Sequence, residues 1–438
     1  MEGASGRIAV VGAGVSGLAA AWRACRAGAE VTVFEAADRW GGVVRSDRRG
    51  KWLVERGPHT LQLRPEAREL VSSLGLTPVI AAGGRRLKRY IARGSRLIPL
   101  PAGPRGLIFG GFFRWHTKTR ILRRMLGKSP PPERDLSFAD FVRRNFGEEV
   151  LALAAQPFVS GIYAGDPEQL STQYAFPRLW RALQSGSLLR GQAAFPLASF
   201  PGGLGDLPDA LARALPDGAL QLHTPVHGLS RDGGGWLVHC SADRPLEAAS
   251  RRFDRILLTL PAHAAARLRI AGAEPLRFLA DIPHPPVTVL TLGFPRAAVR
   301  HPLDGFGCLV PALEKRSLLG IIFTSSLFPH RAPAGHVAFT VMLGGTLQPL
   351  LAKPTPEEAW AAAQPDVSEL LGVSGEPAFL EAARYPFAIP QYTLAHAPLL
   401  AAIADAEGRH PGLILAGSYR HGIALPDCLA TSLSPDLG

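Results

Sequence analysis

The sequence predicts an α/β fold with a Rossmann-like dinucleotide-binding domain, and three observations support this prediction. Residues 7–42 hold an apolar strand, a G-x-G-x-x-G turn, an Ala-rich helix and a second strand that ends in an acidic residue. A chain of 438 residues, 47% of them hydrophobic, is long enough for two or three domains with sizeable cores. A mostly helical stretch at 136–195 is followed by strand-rich stretches at 219–262 and 286–345.

The glycine turn near the start of the chain predicts a binding site for a pyrophosphate group. Gly12 allows the tight turn, Gly14 lets the backbone approach the phosphates, and Gly17 lets the helix pack close to the sheet. The helix N-terminus offers unpaired N–H groups and a partial positive charge. Glu35 ends the second strand, where a carboxylate accepts ribose hydroxyls and repels a 2′-phosphate. The pattern therefore argues against NADP.

The residues that follow Glu35 extend this motif as E-x-x-x-R-x-G-G. The extension resembles the FAD-binding oxidoreductases of the glutathione-reductase-like and amine-oxidase-like type. In that family the arginine and the glycine pair lie along the FAD pyrophosphate and near the flavin. The resemblance implies FAD as the cofactor, bound in this part of the chain by Gly12, Ala13, Gly14, Val15, Ser16, Gly17, Glu35, Ala36, Arg39, Gly41 and Gly42.

The chain is strongly basic, with a formal net charge of +12. Such a charge fits a nucleic acid, an anionic membrane surface or an acidic substrate, and it also fits a diffuse positive surface without a dedicated partner. No helix-turn-helix, zinc-finger or aromatic-studded basic pattern occurs, so no nucleic-acid partner is expected. The four cysteines are far apart and form no C-x-x-C pair, which predicts neither a metal site nor a disulfide framework.

Residues 85–130 contain many arginines and lysines, no acidic residue and the aromatic-rich run LIFGGFFRW. A helix that starts near Phe113 has a basic face opposite an apolar face made of Trp115, Ile121, Leu122, Met125 and Leu126. This pattern is typical of a segment that lies on a membrane surface, and equally of a helix that docks on its own domain. With no signal peptide and no apolar run of about eighteen residues, we expect a cytoplasmic protein, peripheral on the inner face of the cell membrane.

Six separated segments resemble the oxygen-dependent, FAD-containing protoporphyrinogen oxidases. The similarity runs nearly from end to end of the chain, and the alternative is another branch of the amine-oxidase-like superfamily. The segments are GPHT (57–60), SGIYAGDPEQLS (160–171), FPGGLGDL (200–207), GFGCLVP (305–311), SSLFPHRAP (325–333) and AGSYRHGIALPDC (416–428).

This resemblance implies three domains. The FAD-binding domain is discontinuous and takes residues 1–84, 200–262 and 405–438. A helical domain that docks on a membrane takes residues 85–199, and a strand-rich α+β substrate domain takes residues 263–404. The remaining cofactor-binding residues are then Val226, whose backbone meets the adenine, and Gly57, Pro58, His59, Thr60, Gly417, Ile423, Ala424 and Leu425 around the flavin.

The resemblance also implies an activity, the oxidation of protoporphyrinogen IX to protoporphyrin IX in haem synthesis. Hydride would pass to flavin N5, and O2 would be the electron acceptor. Arg89 is expected to anchor a propionate, Phe328 to stack on a pyrrole ring, and Leu309 and the backbone of Gly161 to lie against the macrocycle. No side-chain base is required, and His59, where the family often has Asn or Arg, is the one candidate catalytic residue.

Other functions stay open at this point. Coproporphyrinogen III is the closest alternative substrate. A related flavin amine oxidase or carotenoid desaturase is the next alternative activity. A non-catalytic flavoprotein that binds a tetrapyrrole is the alternative that is not an enzyme. A homodimer is a candidate assembly. The chain departs from the family pattern at Tyr385, where Trp is common, and at Pro426, where Asn is usual. Pro435 predicts that the family's long C-terminal helix is short or missing, with weaker flavin retention.

Overall fold

The computed structural model describes residues 6–84, 87–101, 103–126, 134–185, 195–241, 252–270, 276–420 and 422–433. The strands are β1 (Arg7–Val11), β2 (Glu30–Phe34), β3 (Ser46–Arg49), β4 (Trp52–Glu55), β5 (Leu61–Gln62), β6 (Val79–Ile80), β7 (Lys88–Arg93), β8 (Arg96–Pro99), β9 (Leu197–Ser199), β10 (Leu220–Gln221), β11 (Val226–Asp232), β12 (Gly235–Cys240), β13 (Arg252–Phe253), β14 (Arg255–Leu258), β15 (Arg269–Ile270), β16 (Val287–Pro295), β17 (Gly305–Leu309), β18 (Leu318–Ile322), β19 (His336–Gly344), β20 (Phe379–Tyr385) and β21 (Leu413–Leu415). The helices are α1 (Val15–Arg26), α2 (Pro65–Ser73), α3 (Gly103–Phe109), α4 (Trp115–Leu126), α5 (Phe138–Phe146), α6 (Glu148–Val150), α7 (Gln156–Tyr163), α8 (Thr172–Ala175), α9 (Pro177–Gln184), α10 (Asp206–Arg213), α11 (Ala262–Ala265), α12 (Thr324–Leu327), α13 (Pro356–Leu371), α14 (His396–Arg409) and α15 (Leu425–Ser432).

A parallel five-stranded sheet forms the nucleotide-binding half, in the order β10-β2-β1-β14-β21. Its strands come from the beginning, middle and end of the chain. The inner strand β1 is buried on both faces, because Val10 belongs to the core under α1 while Ala9 and Val11 belong to the core on the other side. A strand covered on both faces needs a continuous apolar run, which explains the Ile-Ala-Val-Val sequence. The predicted α/β fold is confirmed.

A mixed seven-stranded sheet forms the second half, in the order β20-β16-β19-β18-β17-β7-β8. Helix α13 covers one face of this sheet over a core that includes Phe294, Phe339 and Trp360. Strands β7 and β8 belong to this sheet, although the sequence prediction assigned them to the helical segment 85–199. The physical reason is that β7 pairs in parallel with β17 and buries Tyr90 in the core of the sheet.

Helices α5 to α9 pack together around their own apolar cluster, which includes Phe138, Phe141, Val159 and Trp180. This helical layer lies on the face of the seven-stranded sheet that α13 does not cover, since Ile91 of β7 packs with Leu153. Among the described helices, none has the length and apolar composition to cross a membrane.

Helix α4 is oriented differently from the sequence prediction. Trp115 is 66% exposed, whereas Thr117 and Lys118 are buried. Burial of Lys118 is possible because its Nζ donates a hydrogen bond to the Ile108 carbonyl oxygen at 3.0 Å. At the N-terminal end of α4, the buried face is therefore formed by Thr117 and Lys118 and not by the predicted apolar residue Trp115. The side chain of Leu126 lies outside the described residues.

Helix α15 packs on the nucleotide-binding half through Leu425 and Leu429, which join the core beside α1. The helix is eight residues long and contacts α1. Pro435 lies outside the described residues.

Candidate functional site

The glycine turn between β1 and α1 has the geometry of an anion site. Gly12 has a φ of +105°, which a side chain would strain. A Cβ at Gly17 would lie 2.0 Å from the Gly12 carbonyl oxygen, whereas a Cβ at Gly14 would meet no described atom within 4 Å. Gly14 is the N-cap of α1, and no described side chain caps the helix there. The first N–H groups of α1 therefore remain available to an anionic group.

Glu35 lies at the end of β2, against the glycine turn. Its Oε2 accepts a hydrogen bond from the Ala13 backbone N–H at 2.8 Å, and its Oε1 accepts one from Ala37 at 2.9 Å. A carboxylate has about four lone-pair positions, so two remain for ribose hydroxyls. The Thr224 N–H donates to the Glu35 backbone carbonyl oxygen at 2.8 Å, so the segment that leads into β11 lies against the end of β2.

A cavity of about 400 Å³ opens beside Val226. Its size fits the adenosine end of a dinucleotide, and the residue expected to meet the adenine, Val226, is part of its lining. The lining residues are Val226, His227, Ala264, Arg267, Leu268 and Arg269.

The segment from Arg39 to Gly42 lies directly on the glycine turn. The Gly41 N–H donates to the Ala13 carbonyl oxygen at 2.8 Å, and a Cβ at Gly42 would lie 3.2 Å from the Cα of Gly14. The Arg39 guanidinium donates to the carbonyl oxygens of Trp40 and Gly42, both at 3.2 Å. The E-x-x-x-R-x-G-G pattern therefore forms a second loop, Arg39–Gly42, which packs against the glycine turn.

The loop Gly57–Thr60 follows β4 and touches that second loop, because a Cβ at Gly57 would lie 2.1 Å from the Val43 carbonyl oxygen. His59 is 8% exposed, and its ring hydrogen-bonds the backbone of Gly57. Burial and the positive charge of Arg331 lower the pKa of His59 to about 3. The His59 Nε2 is buried, and no described residue hydrogen-bonds it. His59 is therefore uncharged at neutral pH, and its Nε2 has no hydrogen-bond partner among the residues that the structure describes.

The C-terminal segment 422–428 also lies against the glycine turn. The Cys428 Sγ donates to the Gly422 carbonyl oxygen at 3.6 Å and interacts with Ser16 of the glycine turn. Burial raises the pKa of Cys428 to about 11, so the thiol is uncharged. Ala424 is the N-cap of α15, and no described side chain caps this helix. A second helix N-terminus is thus held against the nucleotide turn, with Ile423 packed on the helical layer.

Three of the four predicted substrate residues lie around one interface, between the seven-stranded sheet and the helical layer. The register pairs Arg89 with Gly307 and Ile91 with Leu309, so Arg89 and Leu309 are on the same face of the sheet. Gly161 of α7 packs against that face, and a Cβ there would lie 2.2 Å from Leu309 Cδ2.

Arg89 is exposed, and no described carboxylate pairs with it. Its Cζ lies 5.8 Å from the centroid of the Phe306 ring. Its neighbours Lys88 and Tyr90 point to the other face, where both bind Asp304. Arg89 is therefore a cation left available at the edge of an apolar interface.

Phe328 is placed differently from the other three predicted substrate residues. It is fully buried in a small cluster with Ala81 and Leu327, and Phe306 packs against this cluster. The Arg331 Cζ lies 4.4 Å from the centroid of the Phe328 ring, so one ring face is already covered. Stacking of Phe328 on a substrate ring stays a prediction.

The loop Gly57–Thr60, called the flavin loop below, is organised by Tyr385 and by two residues that the sequence analysis did not single out, Arg331 and Glu55. Arg331 and Glu55 form an ion pair whose side chains are each 1% exposed. Arg331 also donates to the His59 carbonyl oxygen at 2.9 Å, and the Tyr385 hydroxyl donates to the Arg56 carbonyl oxygen at 2.9 Å. Nothing in an arginine-rich sequence distinguishes a buried arginine from an exposed one, so no signal was available for Arg331.

These features together fit FAD. The open space at Gly14, the two helix N-termini without a side-chain cap and the carboxylate of Glu35 match its pyrophosphate and ribose groups. When bound, FAD would be held by the glycine turn, Glu35 and the flavin loop.

Comparison with known proteins supports the same assignment. A putrescine oxidase structure shares the fold with a TM-score of 0.71 at 17% identity, covering 99% of this chain and 98% of that chain. A crystal structure from Exiguobacterium sp. 255-15 has a TM-score of 0.82 at 25% identity, covering 98% of this chain and 97% of that chain.

Two curated relatives are similar over almost the whole chain. Protoporphyrinogen oxidase 2 of Arabidopsis thaliana is 32% identical, covering 98% of this chain and 93% of that protein. Coproporphyrinogen III oxidase of Propionibacterium freudenreichii is 33% identical, covering 97% and 88%. Residues 15–434 match the family model described as flavin containing amine oxidoreductase. The chain therefore belongs to the flavin-containing amine oxidoreductase family and is an FAD-dependent oxidoreductase.

Proposed function

We propose that this enzyme oxidises a porphyrinogen to the corresponding porphyrin in haem synthesis, with protoporphyrinogen IX as substrate and O2 as electron acceptor. The observation that carries the proposal is the interface of Arg89, Leu309 and Gly161, which sets an available cation beside apolar groups. The substrate would occupy an apolar slot at this interface, the proposed slot. A porphyrinogen is a flexible, non-aromatic tetrapyrrole with propionate groups, so it offers an apolar body and negative charges that match this surface. The relatives named for this activity support the same choice.

The roles of the chain's own residues follow from their positions. Arg89 would hold a propionate through charge-assisted hydrogen bonds. Leu309 and the backbone of Gly161 would lie against the macrocycle and exclude water from the slot. FAD, when bound, supplies the hydride acceptor. The protein's contribution is then mainly orientation of the reacting carbon.

His59 would act without taking up a proton. Its pKa of about 3 leaves it uncharged at neutral pH and makes it a very weak base. The proton from a ring nitrogen would therefore leave to water, while aromatisation of the macrocycle provides the driving force.

An aerobic fluorescence assay tests this function. Purified enzyme loaded with FAD is mixed in air with protoporphyrinogen IX, and porphyrin fluorescence and peroxide are followed together. The proposal predicts that both rise in step and that neither rises above the spontaneous rate without O2. No enzyme-dependent fluorescence would contradict the proposal, and fluorescence without peroxide would contradict O2 as acceptor.

Coproporphyrinogen III is the second candidate substrate, supported by the 33% identity to the Propionibacterium enzyme. The same assay run with each porphyrinogen decides between them by the ratio of kcat/KM.

We also propose that the enzyme binds peripherally to the inner face of the cell membrane through α3 and α4. Phe109 is 84% exposed and Trp115 is 66% exposed, and the exposed residues Arg105, Arg114 and Arg123 lie in the same segment. Apolar side chains next to arginines suit the boundary between headgroups and acyl chains.

A homodimer stays a prediction, which light scattering on the purified protein would test.

Vesicle flotation tests the membrane proposal. The enzyme should float with vesicles that contain phosphatidylglycerol and remain unbound with phosphatidylcholine alone. The variant Phe109→Ser/Trp115→Ser should lose flotation, whereas Leu350→Ser, which changes an 86% exposed leucine outside α3 and α4, should retain it. Equal flotation of all three proteins would contradict the proposed surface.

A further inference from the structure

The segment 416–425 leaves the parallel sheet beside the glycine turn. The register of β1, β14 and β21 places Val11, Leu258 and Leu415 in one row, at the carboxyl ends of these strands. The glycine turn follows Val11, so the residues that follow Leu415 emerge at the same edge, where nucleotides bind to sheets of this type. At its far end the segment enters α15, whose Leu425 joins the core beside α1. Both ends of the segment therefore lie at the nucleotide site.

Two glycines give this segment a backbone that has to be held in place. Gly417 has a φ of +137° and Gly422 a φ of +131°, conformations that glycine adopts readily and other residues rarely adopt. Gly422 is close to the first turn of α15, since a Cβ there would lie 2.6 Å from the Cβ of Asp427. Its carbonyl oxygen also accepts a hydrogen bond from Cys428 Sγ at 3.6 Å. The position of Gly422 therefore sets the start of α15.

One tyrosine hydroxyl joins the two parts of the segment. The Tyr392 O–H donates to the Ser418 carbonyl oxygen at 2.5 Å, and the same hydroxyl oxygen accepts a hydrogen bond from the Gly422 N–H at 2.7 Å. A hydroxyl group can donate and accept at once, so it serves both backbone groups. The Tyr392 side chain is buried, and its ring stacks on the His396 imidazole with the ring centroids 4.0 Å apart. The hydroxyl is thus held in one place.

The backbone around Tyr392 is fixed from outside the nucleotide site. The Ser171 N–H donates to the Tyr392 carbonyl oxygen at 2.8 Å. The preceding residue, Gln391, donates through its N–H to the Pro283 carbonyl oxygen at 2.9 Å. Its side-chain Nε2 donates to the Tyr163 carbonyl oxygen, at the end of α7, at 2.8 Å. Because these partners belong neither to the segment nor to the glycine turn, Tyr392 can hold the segment without help from a cofactor.

We propose that Tyr392 is a positioning residue for FAD: through Ser418 and Gly422 it holds the segment 416–425 in the conformation that receives the cofactor. Without the hydroxyl, the backbone around the two glycines would be free to move, and FAD would have to order it on binding. This ordering would lower the affinity, because its free-energy cost offsets part of the contacts with FAD. The inference rests on FAD binding and not on the identity of the substrate.

An isosteric change tests this role. Tyr392→Phe keeps the ring and removes only the hydroxyl, which leaves the Gly422 N–H and the Ser418 carbonyl oxygen without this partner. We expect the FAD dissociation constant to rise about ten-fold. With all sites filled by FAD, we also expect a shift in the visible absorption and the reduction potential of the flavin, because the dipoles at the start of α15 move relative to it. A merely structural role would lower the thermal stability and leave these flavin properties unchanged.

Two other buried tyrosines provide matched controls. Tyr419→Phe removes a hydroxyl within the same segment that no described residue hydrogen-bonds. Tyr90→Phe removes a hydroxyl that donates to Asp304, next to β17. Both variants should retain the wild-type FAD affinity and flavin spectrum. Wild-type FAD affinity or wild-type flavin properties in Tyr392→Phe, or an equal loss of affinity in either control, would overturn the proposal.

Hydrogen exchange of the wild-type protein decides even if Tyr392→Phe does not fold. The Gly422 amide, followed at single-residue resolution, should be protected in the FAD-free protein, because its acceptor is part of the chain. Exchange at the rate of an unprotected amide until FAD is added would show that the cofactor, and not Tyr392, holds the segment. None of these measurements uses a porphyrinogen, so failure of the proposed activity is distinguishable from failure of this inference.

Discussion

Gly14 and Gly17 belong to the same motif, but their surroundings differ. The Cβ that a residue at Gly17 would carry lies 2.0 Å from the Gly12 carbonyl oxygen and 2.6 Å from Thr259 Oγ1. The corresponding Cβ at Gly14 meets no described atom. Gly17 is therefore required by the fold itself, whereas Gly14 is required by what binds to the fold.

Alanine at each position should separate these requirements. Gly17→Ala should lower the unfolding free energy of the FAD-free protein by about 1–3 kcal/mol, because backbone atoms block the new methyl group. Gly14→Ala should leave that free energy unchanged and still weaken FAD binding. Thermal unfolding with and without FAD measures both. Equal stability of the two FAD-free variants would contradict this account.

The buried imidazole of His59 makes stability depend on pH. The unfolded chain protonates His59 below its ordinary pKa of 6.5, while the folded protein resists protonation down to a pKa of about 3. The unfolded state therefore binds more protons in this window, so stability falls as the pH is lowered. In urea unfolding, wild type should lose about 1.4 kcal/mol per pH unit more than His59→Gln between these pKa values. Parallel curves would contradict the lowered pKa.

Arg89 should act on the substrate and not on the cofactor. Arg89→Ala should raise KM with little change in flavin content, since the residue lies away from the glycine turn. Lys88→Ala is the matched control, because Lys88 points to the opposite face and binds Asp304. Steady-state kinetics and the flavin-to-protein ratio measure the outcome. Unchanged kinetics of Arg89→Ala would remove this residue from the site.

At the scale of elements, the contact between α7 and β17 shapes the proposed slot. Gly161 lets the helix approach the strand, and its nearest neighbour is the flexible end of the Leu309 side chain. A methyl group there can be accommodated if Leu309 turns away. The shape of the proposed slot therefore depends on how closely α7 approaches β17, and not on one side chain alone.

Gly161→Ala should therefore change binding more than stability. Alanine favours a helix by up to about 1 kcal/mol over glycine, and this gain offsets much of the crowding. We expect a shift of less than about 1 kcal/mol in unfolding free energy, together with a higher KM. Gly408→Ala in α14 is the control, because a Cβ there meets no described atom. An unchanged KM for Gly161→Ala would show that Leu309 is not part of the slot.

At the scale of the whole molecule, ion pairs and hydrogen bonds join the nucleotide-binding half to the seven-stranded sheet. Arg56 bridges Asp47 and Glu381 of β20, while Arg331 reaches Glu55 and His59. The flavin loop is therefore fixed by both halves. A change in either half should reach the cofactor through this junction.

The sequence was sufficient for the parts of the fold that depend on local pattern. The glycine turn, the strand ending in Glu35 and the family segments predicted the parallel sheet, FAD and the enzyme class. The assignment of β7 and β8 required knowledge of long-range pairing with β17, which local composition does not contain. The Arg331–Glu55 pair was missed for a similar reason, since residues 276 positions apart become partners only in the folded chain.

Anaerobic mixing with protoporphyrinogen IX tests the central claim most directly. The FAD-loaded enzyme is mixed with the substrate in a stopped-flow instrument, and the visible absorbance of the oxidised flavin is recorded. The account predicts rapid bleaching of this absorbance, with a rate that saturates with substrate concentration, and recovery of the absorbance when O2 is admitted. A flavin that stays oxidised in the presence of both protoporphyrinogen IX and coproporphyrinogen III would contradict the account.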